Sequence, residues 1–269
     1  MPQQVAVVTG AGRGLGRAIA QRLAQSYQVL VTDIDEAAAA ATAGALPGAW
    51  SLRQDVRDPE SHRKMARAAT ARGDVAVWFN NAGVLDVGET WDMADDVVRR
   101  MVEVNVLGVM WGCHAAVNVM DEGGHIINIA SISGLTPTPG LAVYGATKHA
   151  VVGYSLSLAS ELRQAGRRIS VSALCPDAIA GDMTKEVAHD DASALLFSAG
   201  TLLSIDEVAD AAVELARRPR LVKVMPAYRA AAIHLLRPFP RLGLPLLEQI
   251  AKLVRRRTRA SATDAATGS

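Results

Sequence analysis

Short apolar runs rich in β-branched residues alternate along the chain with longer segments in which Ala, Leu and Val recur every third or fourth position. The short runs at 4–9, 28–32, 49–54, 75–79, 125–130, 168–174 and 221–225 predict seven strands. The longer segments predict helices near 13–26, 35–44, 59–71, 94–120, 144–165 and 205–217. Strands that are apolar on both sides belong in a parallel sheet covered on two faces, so the pattern predicts an α/β fold with a doubly wound sheet. Neither a linker nor an internal repeat cuts the series, which makes residues 1–228 a single domain. Two stretches stand outside the alternation. Residues 177–204 form a connection long enough to be a functional lid. Residues 229–256 form a C-terminal helical extension, and the Ser/Thr/Ala-rich residues 257–269 a disordered tail.

Composition narrows this picture only a little. Half the residues are apolar, enough for a substantial core, and a net charge of +1 gives no reason to expect nucleic acid. Cys113 and Cys175 have no zinc-like spacing and read as buried residues in a reducing compartment. No secretion signal precedes the first strand, and no uninterrupted apolar run is long enough to span a bilayer, so a cytoplasmic location is expected. In the extension, Leu246, Ile250 and Leu253 fall on one helix face, with Lys252, Arg255, Arg256, Arg257 and Arg259 at its end. Such a helix docks on its own domain or on a second copy, or else lies on an anionic membrane surface as a peripheral contact. The six histidines are scattered, and no metal site is expected. His114 and His125 read as satisfied structural groups and His149 as exposed.

Chemistry first shows in "VVTGAGRGLGRAIA". Gly10, Gly12, Gly14 and Gly16, with Arg13 and Leu15 among them, lie between the first strand and the first helix. Glycine allows a tight turn whose N–H groups approach a pyrophosphate at the positive helix end. About 20 positions later Asp33 ends the second strand, the context of a Rossmann-type dinucleotide site. Asp33 would accept from the ribose hydroxyls and repel a 2′-phosphate, whereas Arg13 could pair with one. The carboxylate already holds that position, so NAD is expected over NADP.

A second stretch, "AVYGATKHA", sets Tyr144 one helical turn from Lys148. By itself the pair is either a solvated helix face or a phenol whose proton has been made easy to remove.

Together with "NNAG" at 80–83, these two motifs resemble the short-chain dehydrogenase/reductase family over residues 4–226. The family's glycine pattern is met by Thr9, Gly10, Gly14 and Gly16. The resemblance implies that Asp55 and Val56 contact adenine, and that Asn81, Ala82 and Gly83 lie along the adenosine ribose. It implies a catalytic set of Asn105, Ser131, Tyr144 and Lys148, with Ser133 the near alternative to Ser131. In that set Tyr144 is the general acid/base, and Lys148 favours its phenolate and bonds the nicotinamide ribose. Ser131 holds the substrate oxygen, and Asn105 holds a water that relays protons from Lys148. Homodimers or homotetramers are the implied assembly.

The chain departs from the pattern after the sixth strand, in "CPDAIAGDMT". Asp177 follows Pro176 where the family has glycine, and Gly181 stands where it has a threonine that touches the carboxamide. Backbone near Ile179 could still bind that group, with Thr184 a substitute for the missing hydroxyl. Leu195, Leu196, Phe197, Leu202 and Leu203, with "GLTPTPGL" at 134–141, are expected to line a pocket with few fixed charges. An apolar alcohol or ketone is the expected substrate. An NADPH-dependent carbonyl reductase and a non-catalytic dinucleotide-binding protein are the rival readings.

Overall fold

Seven strands lie side by side in the order β3-β2-β1-β4-β5-β6-β7, every neighbouring pair parallel. They are β1 (Gln4–Thr9), β2 (Gln28–Asp33), β3 (Trp50–Arg53), β4 (Asp74–Asn80), β5 (His125–Ile129), β6 (Ser170–Pro176) and β7 (Val222–Met225). The structure, a computed structural model, describes residues 3–198, 201–236, 241, 244–245, 247–250 and 252–254. The doubly wound Rossmann-type sheet expected from the pattern is present, with strand ends within about two residues of those predicted.

Alternation along the central strands explains the layering. In β1, Val5 and Val7 enter one core cluster while Ala6 and Val8 enter the other, all fully buried. The first cluster is closed by α3 (Pro59–Thr70), α5 (Gly108–Val119) and α6 (Ala142–Gln164). The second is closed by α1 (Gly14–Leu23), α2 (Glu36–Gly44) and α8 (Ile205–Arg217). Short polar side chains start these helices. Asp35 accepts from Ala38 N, Asp58 from Glu60 N, and Ser204 forms a reciprocal box with Glu207.

Strand order reverses between β1 and β4, where one crossover turns to each side of the sheet. That geometry opens a crevice beyond the carboxyl ends of these two strands. A shallow hollow of about 750 Å³ between α1 and α8 lies elsewhere. It is lined by charges that satisfy one another, Arg22 meeting Asp206 at 2.8 Å and Asp210 at 2.5 Å.

Some expectations need correction. The helix predicted over 94–120 is α4 (Asp95–Val102) and α5 joined by a π turn at Glu103–Leu107. Within Asp95–Val119 an 18-residue window reaches a mean hydropathy of 1.2, the length and apolarity of a membrane span, although polar residues such as Glu103 and Asn105 interrupt it. Packing supplies a reason for its apolarity, because Val109, Cys113, Ala115 and Ala116 belong to the first core cluster. The connection 177–204 carries α7 (Asp182–Glu186) and a 3₁₀ segment at Asp191–Phe197, and Ile179 bridges to Leu203 like one more parallel pair. The boundary placed at 228/229 falls inside α9 (Ala227–Leu236), whose Ile233 docks in the first core cluster. Of the two histidines read as satisfied structural groups, His125 is buried between Ser172 Oγ and Ala216 O, whereas His114 is exposed. Leu235, Leu244 and Leu253 remain exposed. Leu246, Arg255, Arg256, Arg257, Arg259 and the tail 257–269 lie outside the described residues.

Candidate active site

A cavity of about 660 Å³ fills the crevice and gathers nearly every residue singled out from the sequence. Its lining runs from Gly10, Arg13, Gly14, Leu15 and Gly16 past Asp33, Asp55 and Val56 to Asn81, Ala82 and Gly83. It ends at Ser131, Tyr144, Lys148, Pro176 and Ile179.

At the glycine end the backbone is drawn tight. Gly10 has φ +61°, and a Cβ there would stand 2.7 Å from Ala82 Cα. Asn81 ties the two loops, donating to Thr9 O at 2.9 Å and Gly10 O at 3.0 Å. Thr9 Oγ1 in turn accepts from the N–H groups of Asn81 and Ala82. The Asn81 side chain is therefore a clasp between β1 and β4. Asp33 is fixed just as firmly, taking Gly12 N at 2.9 Å and Asp35 N at 3.1 Å. A second carboxylate, Asp55, sits on the same wall, held below the usual carboxylate range by hydrogen bonds from Arg57. The glycine cradle, the positive end of α1 and a positioned Asp33 fit the pyrophosphate and ribose of a dinucleotide.

The other end holds Ser131, Tyr144 and Lys148. α6 begins at Ala142, so Tyr144 occupies its first turn and Lys148 the next. Against them lies the 3₁₀ turn Ile132–Gly134, capped by Ser131, whose Oγ accepts from Ser133 N at 3.1 Å. A Cβ on Gly134 would reach 2.6 Å from Lys148 O, so only glycine lets this turn seat on α6. The contact leaves the Ser131 hydroxyl beside the phenol of Tyr144, its proton free for a second partner. Ser133 serves Ser131 through its backbone, which favours Ser131 as the substrate-facing hydroxyl.

Desolvation governs the electrostatics here. Burial pushes the Tyr144 phenol up to about 12, although its ring borders the cavity, and the neighbouring Ser131 hydroxyl opposes part of that rise. Burial likewise pulls Lys148 down to about 8. The Lys148 Nζ lies 5.6 Å from the Tyr144 ring centroid and donates to Ile129 O at 2.9 Å. Thus burial holds the phenol up in the chain by itself, with Lys148 standing on its flank. The chain also holds a desolvated ammonium with unspent donors toward the cavity, suited to ribose hydroxyls.

Asn105 is held by the chain around it. It is fully buried in the π turn, accepting from Val84 N at 2.8 Å and donating to Val84 O at 2.9 Å and Thr147 Oγ1 at 3.2 Å. With its amide bonded to protein partners, the side chain pins the loop after β4. Thr184 is committed as well: its hydroxyl bonds Ile179 O at 2.6 Å and caps Gly181 N at 3.2 Å. It leaves no hydroxyl for the carboxamide.

Leu195 and Leu196 line the cavity as expected, with Thr136, Pro137 and Thr138 from the stretch at 134–141. Phe197, Leu202 and Leu203 are absent from the lining, and Leu203 joins the second core cluster with Ile179. The expectation of few fixed charges fails. Arg57, Arg100 and Arg229 all border the cavity, each beside a carboxylate: Asp55 at 2.6 Å, Asp86 at 2.7 Å and Asp177 at 3.0 Å. Nothing in the linear spacing signals these pairs, because each partner arrives on a different loop or helix, save for Asp55 and Arg57. Among the described residues no group of His, Cys, Asp and Glu is arranged to hold a metal ion.

Residues 4–192 match the family described as short chain dehydrogenase. The chain is 37% identical over 192 residues to a 3-alpha-(or 20-beta)-hydroxysteroid dehydrogenase of Mycobacterium tuberculosis (strain ATCC 25618 / H37Rv), covering 70% of this chain and 73% of that one. It is 34% identical over 220 residues to the 3-oxoacyl-acyl-carrier-protein reductase FabG of Escherichia coli (strain K12), covering 79% and 89%. Among solved structures, a short chain dehydrogenase/reductase from Burkholderia phymatum in complex with NAD superimposes with a TM-score of 0.80 at 29% identity, covering 90% of this chain and 95% of that one.

Proposed function

The chain belongs to the short-chain dehydrogenase/reductase family of oxidoreductases, and from that premise we propose that it is an NAD-dependent alcohol dehydrogenase acting on an apolar secondary alcohol or its ketone. The observation that carries the reading is the meeting of Ser131, Tyr144 and Lys148 at one end of a cleft whose other end presents Asp33. A bound nicotinamide supplies the hydride acceptor. Everything else falls to side chains of the chain itself. Ser131 donates to the substrate oxygen and stabilises charge developing there. Tyr144 takes the hydroxyl proton in oxidation and returns it in reduction. Lys148, desolvated and cationic below about pH 8, orients the ribose and supplies positive charge on the tyrosine's flank.

Asp33 supports NAD, since a 2′-phosphate would meet a carboxylate already bonded to Gly12 N. Arg13 on the cavity wall, and the reductases among the relatives, favour the second reading, an NADPH-dependent carbonyl reductase. Leu195, Leu196 and Ile205 support an apolar substrate. We read the protein as a cytoplasmic homo-oligomer, in keeping with the exposed Leu235, Leu244 and Leu253. A panel of hydrophobic secondary alcohols, followed by NADH absorbance with NAD and NADP in parallel, tests the proposal. Turnover with NAD is expected; absence of turnover with either dinucleotide would sink it, and a clear NADP preference would move the reading to the carbonyl reductase.

A further inference from the structure

Three loops meet over the substrate end of the cleft, and they meet on a glycine. The loop after β4 reaches the cavity wall through Leu85, the loop after β5 through Thr138, and the lid through Leu195 and Leu196. Gly140 joins all three. Its carbonyl accepts from Gly88 N at 3.0 Å, which ties the first loop to the second. Its φ is +84°, and a Cβ there would stand 2.1 Å from Ala192 O and 2.8 Å from Ala192 C. Only a residue without a side chain lets the lid's backbone seat at that point.

The chain on either side of the seat is firmly held. Asp190 caps the 3₁₀ segment of the lid, its Oδ1 accepting from Ala192 N at 2.8 Å and its carbonyl from Ser193 Oγ at 2.7 Å. Leu141 is fully buried, and α6 starts at the next residue with Tyr144 in its first turn. Tyr144 thus follows closely on one side of the contact, and Leu195 and Leu196 on the other. A wall carried by a lid stands where the lid rests, and a shift of about 1 Å is enough to change how a bound substrate meets its base. We infer that Gly140 is a positioning residue that fixes the spacing between the apolar wall of Leu195 and Leu196 and the phenol of Tyr144, and so determines how bulky an alcohol the cleft accepts. This rests on the alcohol dehydrogenase reading and names the specificity of that same site.

The test compares cyclohexanol with its derivative bearing a tert-butyl group opposite the hydroxyl, in the full-length protein with NAD. Gly140→Ala drives the lid away from Tyr144, so kcat/KM for the bulky alcohol relative to the compact one should rise by about tenfold, mainly through KM, with the NAD Kd unchanged. Asp190→Ala loosens the start of the lid segment without touching α6, and should move the ratio the same way by less. It carries the test if Gly140→Ala does not fold. Hydrogen exchange needs no substrate: the amides of residues 191–197 should exchange faster in either variant than in the wild type. If the wild type oxidises neither alcohol, the dehydrogenase reading falls, and exchange alone decides the seat. Unchanged exchange in the lid would overturn the inference. So would an equal loss with both alcohols, which is what a merely structural glycine gives, or a ratio moving toward the compact one.

Discussion

Tyr144 keeps its proton in surroundings that resist losing it, since burial lifts the phenol to about 12. Alcohol oxidation needs the phenolate, so its rate should climb as pH rises from neutrality, approaching tenfold per unit, and level off above about 8 where Lys148 loses its charge. Reduction draws on the protonated phenol and should stay flat over that range; a pH-rate profile in both directions checks this. Tyr144→Phe should lower kcat by ~10² to 10⁴-fold with the NAD Kd nearly unchanged, as read by fluorescence titration. Asp33→Asn removes the charge opposed to a 2′-phosphate, so the ratio of kcat/KM for NADP over NAD should rise by at least ~10-fold. An unaltered ratio would mean that Asp33 does not face the ribose. These residues were legible from the sequence because glycine, acid, tyrosine and lysine sit at spacings tied to single turns of chain. Their proton affinities were not, since those depend on how much water the finished fold removes.

Between α4 and α5 the π turn at Glu103–Leu107 carries Asn105 into the core, where its amide holds both polar groups of Val84. Asn105→Ala would strand that N–H and carbonyl, costing about 2–4 kcal/mol in urea unfolding if both remain dry. Activity should fall through displacement of Gly83, where an added Cβ would stand 3.3 Å from Asn105 Oδ1 and 3.7 Å from Lys148 Nζ. Hydrophobic period predicted a continuous helix over this region, and it was right about the buried face. One added residue in a turn leaves that period almost intact, which is why the π turn was invisible. The same holds for α7 and the 3₁₀ segment of the lid, too short to establish a period of their own.

Across the whole molecule, the parallel sheet and its two-layer core followed from the alternation of strand and helix patterns, because central strands apolar on both faces belong in a sheet covered on two sides. What escaped was contact between distant loops, as with Asp86 and Arg100 or Asp177 and Arg229. Global stability should depend on His125, which joins β5 to β6 through Ser172 and is pulled by burial from 6.5 to about 4. A depressed histidine contributes fully above about pH 6.5 and is lost as pH falls toward 4, amounting to about 3 kcal/mol. Urea midpoints at pH 7 and pH 5 should therefore differ more for the wild type than for His125→Asn. Equal differences would mean that another group governs acid unfolding.

The clasp of Asn81 onto Thr9 and Gly10 lies where the sheet's winding changes sides. Asp33 and Asp55 sit on one flank of that line, and the serine, tyrosine and lysine sit on the other. Substitutions at Asp33 and substitutions around Ser131 should therefore act independently of each other, provided the asparagine that stitches the two loops is kept.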